Sequence, residues 1–225
     1  MPYSGVAFPQ FERPKSMKLH VYEALKAAIL AGSIDHQTVL TEATLAEKFG
    51  VSRTPIREVM HELERQGLLE RAGPRGKRVR SVSAGEVCEL FWIRSVLEPP
   101  IASQLARSGL AEGDLKQLNL LLERQRNALC ARDRAEFLAA DSAFHILLAR
   151  FTGFRKVTEI ITNLRNLFQL VGMKAVEQPA RLDEVLREHQ AIVDAIARRD
   201  PAAAEAAVRS HLSYTQTVVL NNLQS

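Results

Sequence analysis

Apolar residues recur at helical spacing over most of this chain, and only two short stretches break the rhythm. Val21, Leu25, Ala28 and Ile29 repeat every three or four positions between Lys18 and Ala31. They predict a first helix, which Gly32 ends. A second helix starts at Thr41 or Glu42 and carries Leu45, Ala46 and Phe49. Thr41, Thr44 and Glu47 offer capping groups, although the strict box, with Glu three residues after the cap, is not met from Thr41. Gly50 supplies a sharp turn where positive φ carries no steric cost, and Val51 anchors it with an apolar side chain. Ser52 is a good N-cap for a third helix, and Pro55 falls in its first turn, where a missing N–H is harmless. Ile56, Val59, Met60 and Leu63 form that helix's inward face, and it ends near Gly67. Leu68, Leu69, Val79 and Val82 flank Gly73, Pro74 and Gly76, the pattern of a β-hairpin.

Beyond Ser83 no strand pattern appears. Six helical segments are predicted at about 84–107, 112–131, 134–151, 155–173, 180–198 and 201–221. Breaks fall at Ser108-Gly109, Arg132-Asp133, Thr152-Gly153, Gln178-Pro179 and Asp200-Pro201. Asp133 and Asp200 suit N-caps and Pro201 a first helical position. Pro99-Pro100 should kink or split the first segment. The expected fold is mainly α. A proline-punctuated, flexible N-terminal arm (1–17) precedes a winged helix-turn-helix of three helices and a β-hairpin (18–82), and an all-α helical bundle with an internal cavity follows (83–225).

Charge sharpens this division. Residues 1–82 hold 13 Lys/Arg against 9 Asp/Glu, whereas residues 83–225 hold 17 of each. The whole excess of +4 therefore sits in the front section. It is concentrated in RAGPRGKRVR (71–80), five cations without an acid, which attracts a polyanion. No apolar run approaches the ~20 residues of a membrane span, and the N-terminus lacks the form of a secretory signal. Cys88 and Cys130 both fall in helical patterns and are expected as buried thiols, in keeping with a cytoplasmic protein.

In a helix-turn-helix, the N-terminal end of the second helix enters the major groove. Arg53, Thr54 and Arg57 stand there and point outward. Free N–H groups and the positive dipole end suit phosphate, and arginine can grip guanine O6 and N7 together. The plainer reading of these arginines is a solvated surface. A hairpin beside such a motif is a wing, whose tip at Arg75, Gly76 and Lys77 could reach the minor groove or the backbone, glycine allowing close approach. With VSRTPIREVMHELERQGLL followed by PRGKRV, residues 18–82 resemble the winged helix-turn-helix of the GntR family of bacterial transcription regulators. That resemblance implies DNA contacts from Arg53, Thr54, Arg57 and the wing at Gly76. His36-Gln37 replaces a Pro-Gly pair frequent in that family.

In the bundle, Asp141 and His145 are four residues apart and project from one helical face. His189 and His211 lie on consecutive helices that can bring them level. One Asp and three histidines suit a divalent ion: zinc first, or nickel or manganese. Separate core or surface histidines are the alternative. Residues 84–221 resemble the FCD-type ligand-binding domain of the family's FadR branch, which implies a metal held by Asp141, His145, His189 and His211. It also implies that Arg94 faces an effector pocket, where its fork suits a carboxylate. A helix-surface pair with Glu98 is the competing reading of Arg94. Asn163, Arg165 and Asn166 are further polar candidates for the effector. The reading that follows is a homodimeric regulator, a repressor in its commoner form. It binds double-stranded, pseudo-palindromic operator DNA and responds to a small organic acid. The rival readings are a metal-dependent hydrolase or lyase on the same ligands, which lacks an evident general base, and a regulator with a purely structural metal.

Overall fold

The computed structural model describes residues 17–74, 76–175 and 179–224. Its first part comprises α1 (Met17–Leu30), β1 (Leu40–Thr41), α2 (Glu42–Phe49), α3 (Arg53–Arg65), β2 (Leu69–Arg71) and β3 (Gly76–Val79). Val21, Leu25, Ile29, Ile56, Val59, Met60 and Leu63 close into one core with Leu68, Leu69 and Val79 from the hairpin. The three strands run in the order β1-β3-β2, both pairs antiparallel. The two-residue β1 was not legible in the sequence, since it has no room for an alternating pattern. It pairs Leu40 with Lys77 and Thr41 with Gly76.

Local chemistry explains the boundaries. Thr41 does cap α2 in a full box, with the Thr44 hydroxyl in the place of the expected carboxylate. Gly50 adopts φ 65° and returns its N–H to the last carbonyls of α2. Ser52 holds the N-cap position of α3 with extended backbone, yet its hydroxyl makes no capping bond. The first N–H groups of α3 are thus left to another partner.

The second part is all helical among the described residues: α4 (Ala84–Ser108), α5 (Glu112–Ala131), α6 (Arg134–Phe151), α7 (Arg155–Ala175), α8 (Pro179–Ala197) and α9 (Pro201–Gln224). A separate core forms around Phe91, Leu105, Leu118, Leu122, Phe137, Phe144 and Ile192. Ser83 and Glu86 make a capping box at the start of α4. Of the two outcomes expected of Pro99 and Pro100, a kink or a split, the split does not occur: α4 runs through both. Each removes one i→i−4 donor, and the carbonyl of Ser95, freed by Pro99, accepts from Arg209 Nη1 of α9 at 3.4 Å. The thiols also depart from expectation: Cys88 and Cys130 are both free and exposed. Cys88 lies one turn before Trp92, on an outer face of α4 that helical patterning alone does not distinguish from the inner one.

The two cores meet through few contacts. Arg80, just past β3, pairs with the Glu86 carboxylate. Leu170 of α7 packs against the front core, and Leu167 of α7 lies over Gly67, between α3 and β2.

Candidate metal centre and nucleic-acid interface

Arg53, Thr54 and Arg57 are all exposed at the start of α3, while Ile56, Val59 and Met60 are buried on the opposite side. Arg57 is held by Glu42 of α2 through a two-point pair, 2.8 and 2.9 Å, and Glu42 is drawn below its usual pKa by that bond. Arg57, His61, Arg71, Gly73 and Gly76 line one shallow depression between the recognition helix and the wing.

The wing departs from the sequence reading. Lys77 is turned inward: its ammonium bonds the Met60 carbonyl at 3.1 Å and Glu64 at 2.7 Å, and its side chain is 12% exposed. It fastens the hairpin to α3 and does not project to solvent. Gly76 is buried, and a Cβ there would collide with Val39. Its missing side chain lets the segment leading into β1 close over β3. Arg75 lies outside the described residues. Arg78, exposed and paired with Glu70 at 2.7 Å, was not among the predicted contacts.

Deep in the bundle the helical spacing brings three histidines together. His145 (α6), His189 (α8) and His211 (α9) are buried, and one nitrogen of each lies within 4.8 Å of the others. His189 Nε2 is 3.5 Å from Asp141 Oδ1, and His145 Nε2 is 4.0 Å from the same oxygen. The remaining nitrogens are each anchored. His145 Nδ1 meets Glu98 at 2.7 Å, His189 Nδ1 meets Gln125 at 3.0 Å, and His211 Nδ1 meets Glu188 at 2.6 Å. An oxygen acceptor on each Nδ1 favours the N–H there and leaves the Nε2 lone pair to ligate, the arrangement that supports a histidine cluster able to hold a metal. Phe144 stacks on His189 with ring centroids 4.4 Å apart.

The fit to a cation rests on these atoms. Nε2 of His145 and of His189 is buried with no hydrogen-bond partner among the described residues, a costly arrangement unless another group completes it. Burial also keeps the rings neutral. It lowers the pKa of His145, pushes His189 well below its usual value and brings His211 to about 4. Neutral imidazole is the ligating form. Asp141 presents its second oxygen to Arg165 of α7, which also bonds Ser142 at 3.3 Å. Each of the four residues thus has its own supporting partner.

Arg94 is fully buried, not on the surface as the competing reading had it. Its Nε bonds Glu98 at 2.5 Å, and its Nη1 has no partner among the described residues. Burial alone would raise the Glu98 pKa, but Arg94 and His145 outweigh it and hold the carboxyl well below the usual range. Asn163 does not join the cluster. It is exposed, in a surface hollow with Arg150 and Gly153, because it lies two residues and so about 200° around α7 from the buried Arg165. A pocket beside the histidines is lined by Asp141, Arg165, Arg181, His211 and Thr215, with Phe137 and Val185 among its apolar walls. Arg181 was missed in the sequence, as were the anchors Glu98, Gln125 and Glu188. Glu188 adjoins His189 in sequence but serves His211, a pairing that only the packing of α8 on α9 creates.

Two family descriptions match the chain: "Bacterial regulatory proteins, gntR family" over residues 17–79, and "FCD domain" over 89–214. The chain is 29% identical to an uncharacterised HTH-type transcriptional regulator, YdhC, of Bacillus subtilis, over 91% of its length and 92% of the relative's. It is 29% identical to the HTH-type transcriptional repressor RspR of Escherichia coli, with 90% and 89% covered. The solved structure of E. coli McbR/YncC shares the fold at a TM-score of 0.80 and 22% identity, over 92% of this chain and 98% of that one.

Proposed function

Because the chain belongs to the GntR family of bacterial regulatory proteins, and is a DNA-binding transcriptional regulator with an FCD domain, we propose that it is a repressor controlled by a divalent metal and a small organic acid bound in its helical bundle. The observation that carries this reading is the trio of Nδ1-anchored histidines, two of whose Nε2 atoms are buried without partners. His145, His189 and His211 would hold the ion, with Asp141 as fourth ligand, and three nitrogens with one carboxylate favour zinc over harder ions. The ion would supply a positive centre that binds an acid's carboxylate. The chain's own residues do the rest: Arg165 and Arg181 line the adjoining pocket, and the free Nη1 of Arg94 remains to be satisfied. Residues 18–82 form the DNA-binding part, with Arg53, Thr54 and Arg57 on the operator, and residues 83–225 the sensing and dimerising part. As a homodimer it would read a pseudo-palindromic operator.

The test is a thermal-shift screen of small carboxylic acids on zinc-loaded protein, with a chelated control and with His189→Ala. A rise with one acid, lost on chelation and in His189→Ala, is expected. Full zinc occupancy in His189→Ala would remove the four-ligand site. No response to any acid would leave the metal a structural one.

A further inference from the structure

Helix α7 has two faces with different duties. One carries Arg165 on the Asp141 carboxylate, Phe168 in the bundle core and Gln169 bonded to the Leu138 carbonyl at 3.1 Å. Leu167 and Leu170 lie on the opposite face, one turn apart, with Leu167 also packed against the edge of the bundle core. Leu170 packs against the front core. A Cβ placed on Gly67 would lie 2.8 Å from Leu167 Cδ2, so this leucine fills the space that the glycine leaves open. Gly67 has φ 75° and immediately follows the last turn of α3, whose first turn bears Arg53 and Thr54. Helix α1 also touches α7. One helix therefore runs from the second oxygen of the Asp141 carboxylate to the trailing end of the recognition helix.

Resting on the metal reading above, we infer that α7 transmits the state of the histidine centre to the DNA-binding part, with Arg165 as its sensor contact and Leu167 and Leu170 as its output contacts. Ligation through Asp141 Oδ1 alters the carboxylate that Arg165 grips. Any resulting shift of α7 bears on Gly67 and α3 because closely packed side chains pass displacement on without absorbing it. The coupling is reciprocal: a fixed α3 must alter zinc affinity by the factor that zinc alters α3.

The experiment uses the full chain and zinc alone. Calorimetric titration gives zinc affinity, and amide hydrogen exchange reads residues 62–72 with and without the ion. Wild type is expected to change exchange there on zinc addition. Leu167→Ala and Leu170→Ala should bind zinc within about twofold of wild type but lose that change, while Leu167→Met, which keeps the bulk, retains it. Persistence of the change in the combined alanine variant overturns the inference, as does an unresponsive 62–72 segment in zinc-bound wild type. Failure of zinc to bind at all, visible in the titration itself, sinks the metal reading and this one with it.

Discussion

At the scale of single residues, burial decides what each ionisable group does. His145, His189 and His211 are all held neutral by burial, so below about pH 6.5 the unfolded chain takes up protons that the native chain refuses. Metal-free protein should therefore lose stability as pH falls from about 6.5 toward 4, and below 4.5 the fading contribution of the Glu98 carboxylate, whose pKa the fold holds low, deepens this. Urea midpoints at pH 7 and pH 5 check it, and equal midpoints would mean that the rings do not stay neutral. On the DNA side, Arg57→Ala is expected to weaken operator binding roughly 5- to 150-fold if the guanidinium grips a base, measured by fluorescence anisotropy. Unchanged affinity would place Arg57 outside the interface. The approach of Asp141 to His145 was legible in the sequence because aspartate and histidine four apart on a helix must share a face. Lys77 was not: its charge looks like that of any wing-tip cation, and only the approach of α3 to the hairpin turns it inward.

Helices, at the next scale, were legible nearly to the residue, because caps and breakers are local chemistry. Asp133, Asp200, Gly50 and Ser83 each act within one turn of where they stand. The unbroken α4 was less legible for a complementary reason. Proline removes a donor locally, but the orphaned acceptor is satisfied by Arg209, more than a hundred residues away in the chain. Capping also separates two positions that look alike in sequence. Thr41→Ala removes a bonded cap and should cost about 1 kcal/mol, whereas Ser52→Ala removes a hydroxyl with no capping bond and should cost only a few tenths. Chemical denaturation of the two variants decides it, and equal losses would show that Ser52 caps α3 in solution.

Across the whole molecule, a basic front section and a charge-balanced bundle divide the labour. DNA affinity should fall with rising salt, with a log–log slope of about −0.9 for each phosphate neutralised, while zinc binding in the buried centre should scarcely change. A flat salt response would exclude the phosphate contacts. The link between the halves was the least legible part, since Leu167 and Gly67 carry no signal apart from each other. The Glu42–Arg57 pair has a consequence at this scale too. The carboxylate is a tethered competitor, held beside the guanidinium by the packing of α2 on α3. On the proposed reading of Arg57, DNA must displace it before it can use the guanidinium. A guanine edge returns both lost hydrogen bonds, as does a phosphate held at two points, whereas a base edge with a single acceptor does not. On that reading the acid on α2 would penalise a poorly matched contact at Arg57 without touching a base, by making such a contact compete with the protein itself.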